Sequence, residues 1–222
     1  MSLEFISVGP TNGQTPVGLI ACLHGFGGNS QQLAPFAPMF NLPDYQFLFP
    51  DAPYSNPYSG RMWYNLRQGD DRTLAASREQ LIDWLTSLER RTGVPLSRTI
   101  LAGFSQGGAM TLDVGLTLPL AGLVCLSGYW HAKPEPNLAK SLPPVLIAHG
   151  RQDGMVPVSA AQSARDNLKA LGVTVKYQEF DMGHIVIPAV LALMRDFIEN
   201  AVKPTSSDVG YKAGRRKYGG DQ

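Results

Sequence analysis

Apolar residues along this chain fall into two alternating patterns. Short runs of near-continuous apolar or extended character occupy residues 17–23, 45–49, 99–103, 120–126, 145–148 and 173–180. Between them lie stretches whose apolar positions recur every three to four residues, at 30–40, 73–91, 105–118, 159–171 and 185–202. The clearest of these is 73–91, where Leu74, Leu81, Ile82, Leu85 and Leu88 mark one helical face before Gly93-Val94-Pro95 stops it. Buried strands separated by helices of this length predict a mostly parallel central sheet with helices on both faces, an α/β architecture. Residues 51–72 break the alternation, with Pro, Asn and Gly predicting irregular backbone.

Composition narrows the picture to one domain. The 222 residues are 44% hydrophobic and 17% charged, enough for a sizeable core, with no internal repeat and no sign of disorder before the last twenty residues. No apolar run approaches the ~18 residues of a membrane span, and the N-terminus lacks the basic and apolar regions of a signal peptide. The expected setting is cytoplasmic. The net charge of +1 gives no whole-chain field for nucleic acid or a membrane surface. It divides unevenly, because the tail 203–222 carries a net +3 and the catalytic-domain candidate, 1–202, a net −2. The tail has no periodicity and is expected to be a flexible basic extension. Cys22 and Cys125 lie in apolar runs without C-x-x-C spacing, so they read as buried thiols.

One motif carries the chemistry. Gly103-Phe104-Ser105-Gln106-Gly107 matches G-x-S-x-G between a strand and a helix, the setting of a nucleophile elbow. Small residues two before and two after the serine let strand and helix approach, and the helix N-terminus supplies partial positive charge for an oxyanion. A serine needs a base. Of the four histidines, His184 lies between the last strand and the last helix, where the elbow opens. His24 and His149 each end a strand before a glycine and read as turn residues, and His131 reads as a polar side chain facing water from the loop that contains Trp130. Asp153 follows a strand and precedes His184 in the chain order Ser, Asp, His. Asp113, Asp166 and Asp181 are the weaker competing acids. Two donors complete the set: the backbone N–H of Gln106, and that of Phe26 in the loop Gly25-Phe26-Gly27-Gly28. The same loop imitates a dinucleotide fingerprint with Asp51 downstream, although Ser30 stands where the third glycine belongs.

With Leu23-His24-Gly25, Pro50-Asp51-Ala52-Pro53, Gly103–Gly108, His149-Gly150-x-x-Asp153-x-x-Val156-Pro157 and Gly183-His184 in order, the chain resembles the phospholipase/carboxylesterase family of small α/β-hydrolases, which includes the acyl-protein thioesterases. The resemblance implies an α/β-hydrolase fold and a carboxylic ester hydrolase working through Ser105, Asp153 and His184, with oxyanion donors at Phe26 and Gln106. It implies esters or thioesters as substrates, lysophospholipids among them. Sixteen residues between Ser127 and Pro144 leave no room for a cap domain. Met62 and Trp63 in the irregular stretch 51–72, Trp130 after a strand, Met155 after Asp153 and Ile185 after His184 are the expected substrate-binding residues, since residues beyond strand C-terminal ends face the crevice. No metal or other cofactor is expected. The only expected partner is a small-molecule ester or thioester, with no nucleic acid, no stable membrane insertion, and a monomeric or weakly dimeric state. The alternatives are a catalytically silent ligand-binding protein on the same fold and a nucleotide-dependent oxidoreductase.

Overall fold

The computed structural model describes residues 3–66, 71–131 and 141–202. The expected runs form the strands β2 (Gly18–Leu23), β3 (Tyr45–Pro50), β6 (Thr99–Phe104), β7 (Gly122–Leu126), β8 (Val145–Gly150) and β9 (Val175–Phe180). A further strand, β1 (Phe5–Val8), completes one seven-stranded sheet in the order β1-β3-β2-β6-β7-β8-β9. Only β1 runs antiparallel, against β3; the other neighbours are parallel. Every residue of β2, β7 and β8 is buried, as both faces of a parallel sheet must be when helices cover them.

The helices are α1 (Ser30–Leu33), α2 (Asp71–Thr92), α3 (Gln106–Gly115), α4 (Val158–Ala170) and α5 (Pro188–Ala201). On one face, α2, α3 and α4 bury Leu81, Trp84, Leu88, Met110, Leu112, Ala164 and Leu168 against Leu19, Ala21, Leu101 and Leu123 of the sheet. On the other face, α5 buries Val190, Met194, Phe197 and Ile198 against Ile20, Ile100, Val124 and Leu146.

Three differences from the sequence pattern have local causes. The helical stretch 30–40 is α1 followed by a 3₁₀ segment, Ala34–Phe40, which contains Pro35 and Pro38; prolines lack the N–H that a continued α-helix needs. The last helix starts at Pro188 instead of 185, because proline is favoured in the first turn and not before it. The irregular stretch after residue 51 holds a two-stranded ribbon, β4 (Tyr54–Ser55) and β5 (Arg61–Met62), too short for periodicity to reveal. Cys22 and Cys125 are buried and free, and burial pushes each thiol up to about 12. Among the described residues, no helix is long and apolar enough to cross a membrane. The expectation for the tail 203–222 lies outside the described residues, as does the middle of the segment between Ser127 and Pro144.

Candidate active site

The elbow is built by close backbone approach. A Cβ on Gly103 would lie 2.2 Å from the Gly107 carbonyl oxygen, and one on Gly107 would lie 2.5 Å from that of Leu23. Only glycine lets β6, α3 and the end of β2 meet this closely. The turn forces Ser105 to φ 55° and ψ −117°, a conformation a serine adopts at a cost of order 1–3 kcal/mol. Ser105 occupies the N-cap of α3, yet its side chain makes no capping bond. The hydroxyl is therefore left free of the helix, unlike that of an ordinary serine cap.

The candidate acid, Asp153, lies in the loop after β8. Asp153 Oδ1 accepts the N–H groups of Met155 and Val156, both at 2.9 Å. Its Oδ2 lies 2.7 Å from His184 Nδ1, and the carboxylate is fully buried. Burial opposes its ionisation, but the His184 hydrogen bond and the two backbone N–H groups outweigh it, holding the carboxyl below its ordinary value. With Nδ1–H donated to Asp153, His184 keeps Nε2 as an acceptor. Its ring stands 4.7 Å from that of Phe104, the residue before Ser105. Gly150 allows this, since a Cβ there would lie 2.2 Å from the Met182 carbonyl oxygen.

The competing acids are engaged elsewhere. Asp113, on α3, is buried and accepts from Arg78 at 2.6 Å while lying 2.9 Å from His131 Nδ1. Asp166 pairs with Arg165, and Asp181 with Arg151. His131 is thus no surface group; it is partly buried beside Tyr64 and Tyr129.

The candidate oxyanion loop presses on the elbow, with a Gly25 Cβ position 3.3 Å from Ser105 Cβ. Gly27 N–H donates to the Arg61 carbonyl at 2.8 Å, and Gly28 N–H to that of Gly25 at 3.1 Å. Phe26 N–H, just before them in the chain, has no acceptor among the described residues. Gln106 is the first residue of α3, where an N–H has no intrahelical acceptor. His24 is buried; its Nε2 accepts from Ala52 N–H at 3.1 Å, so Nδ1–H donates to the Gly25 carbonyl at 2.7 Å. Asp51 accepts the Ser30 N–H at 2.7 Å, a structural task that removes it from the dinucleotide reading.

Three contributions were not visible as motifs. The Gln106 side chain accepts from Trp63 N–H and donates to the Tyr64 carbonyl, each at 2.8 Å. Trp63 Nε1–H donates to the His24 carbonyl at 2.9 Å. The Arg61 guanidinium donates to the carbonyls of Ala52 and Pro53. Together these tie the 61–64 segment to both the elbow and the oxyanion loop. They also correct one expectation: Trp63 is fully buried and offers no surface to a substrate. Trp130 is half-buried against the core, and Met62 is half-buried on β5. Met155 and Ile185, at 77% and 55% exposure, stand at the rim beside Asp153 and His184.

The sequence profile of the phospholipase/carboxylesterase family matches residues 11–202. Acyl-protein thioesterase 1 of Neurospora crassa is 30% identical over 206 residues, covering 79% of this chain and 83% of its own. Carboxylesterase SOBER1 of Arabidopsis thaliana is 28% identical over 211 residues, covering 85% and 92%. The crystal structure of esterase PE8 superposes with a TM-score of 0.82 at 30% identity, covering 90% of this chain and all of that one.

Proposed function

We propose that this chain, which belongs to the phospholipase/carboxylesterase family and is a carboxylic ester hydrolase, works by acyl transfer through Ser105. The observation that carries this reading is the 2.7 Å contact between His184 Nδ1 and the buried Asp153 carboxylate, with the His184 ring 4.7 Å from that of Phe104, the chain neighbour of a strained serine whose hydroxyl no cap engages. His184 Nε2 takes the Ser105 proton as the oxygen attacks the ester carbonyl, then returns it to the leaving alcohol or thiol. Asp153 holds the imidazole tautomer and stabilises the imidazolium. The N–H groups of Phe26 and Gln106 receive the oxyanion, each worth on the order of 3 kcal/mol in the transition state. Water activated by the same imidazole then releases the acid. Residues 1–202 make up the catalytic domain in this reading, with oxygen esters and thioesters as the substrate class.

A fluorophosphonate probe tests it. Wild type should gain a covalent adduct on Ser105 and hydrolyse p-nitrophenyl butyrate, whereas Ser105→Ala should do neither. A folded wild type that neither labels nor turns over would overturn the reading in favour of a silent binding protein.

A further inference from the structure

The proposed triad leaves one buried imidazole beside it unused. His149, at the end of β8, has a fully buried side chain. Its Nε2 lies 2.9 Å from the Val156 carbonyl oxygen and 3.5 Å from Asp153 Oδ2. Both neighbours are acceptors, so a lone pair on Nε2 would face two oxygens in repulsion. The surroundings therefore assign the proton to Nε2. The second contact is too long for a full hydrogen bond, so the N–H is directed to the Val156 carbonyl and acts on the buried carboxylate only as a nearby dipole. His149 Nδ1 is buried with no hydrogen-bond partner among the described residues.

Val156 links the two contacts. Its N–H binds Asp153 Oδ1, while its carbonyl faces His149 Nε2. One imidazole thus holds the turn that fixes one carboxylate oxygen and lies against the other, the oxygen that receives His184. Resting on the triad reading above, we propose that His149 is a positioning residue for the catalytic acid: through its Nε2–H it holds the 153–156 turn and moderates the charge Asp153 presents to His184. The charged group nearest in sequence, Arg151, is turned to Glu179 and Asp181 at the surface.

The direction of the effect follows from electrostatics. Without the N–H, Asp153 presents more charge to the imidazolium that His184 becomes during the reaction, and so favours that form. His149→Leu should lower kcat for p-nitrophenyl butyrate by about tenfold with KM within about twofold, and move the acid limb of the pH–rate profile upward. His149→Gln, which keeps a side-chain N–H, should recover most of the rate and return the limb toward wild type. A merely packing role would lower Tm in the leucine variant without moving the limb. An unmoved limb, or a glutamine variant no better than leucine, overturns the proposal. Nitrogen NMR of labelled histidines in wild type gives a test that needs no variant: the Nε2–H tautomer at His149 supports it, and the Nδ1–H tautomer overturns it. Wild-type turnover and its loss in Ser105→Ala report on the triad independently of either result.

Discussion

Replacing Gln106 by methionine separates two duties of one residue. The backbone N–H proposed to receive the oxyanion is untouched, while the side chain loses both hydrogen bonds to the 63–64 backbone at nearly constant volume. Trp63 and Gln106 are buried, so the Trp63 N–H and the Tyr64 carbonyl lose partners that water does not readily replace. A buried polar group left unpaired costs about 1–3 kcal/mol, which puts the pair near ~4 kcal/mol. In a domain of roughly 200 residues that lowers Tm by about 8–16 °C. The same segment holds the loop proposed to supply the oxyanion donor Phe26, through Trp63 Nε1–H on the His24 carbonyl and the Arg61 backbone on Gly27 and Gly28. Loosening it should lower kcat by about tenfold while fluorophosphonate labelling of Ser105 persists. Thermal unfolding and ester turnover on the purified variant check both. A Tm within about 2 °C of wild type would refute the reasoning, because the two bonds would then be dispensable.

Two further outcomes follow from contacts at the same end of the sheet. Gly107→Ala places a Cβ 2.5 Å from the Leu23 carbonyl oxygen and 2.6 Å from that of His24, both backbone. Relief requires the elbow to move by about 1 Å, which should lower kcat on the order of a hundredfold; near-normal turnover would show that the close approach is not needed. His24 is held neutral chiefly by burial, which lowers its pKa against the smaller raising effect of its bond to Gly25. The unfolded chain therefore takes up a proton at His24 as pH falls below about 6.5 while the native state does not, so acid withdraws stability there by at most about 1.4 kcal/mol per pH unit. Urea unfolding of wild type and His24→Gln at several pH values should show the steeper acid loss in wild type, and parallel curves would contradict it.

The pattern of apolar residues made the sheet and its covering helices legible because each buried element carries its own periodicity. The elbow was legible for a related reason: its glycines and serine are consecutive in the chain. What the chain concealed are contacts whose two ends lie far apart, such as Gln106 on the 63–64 backbone, and strands of two residues, such as β4 and β5. Trp63 shows the limit most sharply. Its place in an irregular stretch suggested a site wall, but a large aromatic beside a short ribbon can equally turn inward, and this one does.

The histidines show why residue type alone could not complete the site. Parallel strands all end at the same edge, so His24, His149 and the loop bearing His184 converge there whatever their tasks. What separates them is the partner on each nitrogen. His24 spends both on backbone and so fixes a loop; His184 meets a carboxylate with one, and its other nitrogen has no hydrogen-bond partner among the described residues; His149 faces a carbonyl and the same carboxylate. His131 meets a carboxylate too, on α3, yet that carboxylate is already paired with Arg78 and lies about two helical turns from Ser105. A carboxylate–imidazole pair is therefore insufficient to mark a catalytic base. In the proposed mechanism it must also lie close to Ser105, and the Asp153–His184 pair reaches that end of the sheet through Phe104, the residue before Ser105, whose ring lies 4.7 Å from that of His184.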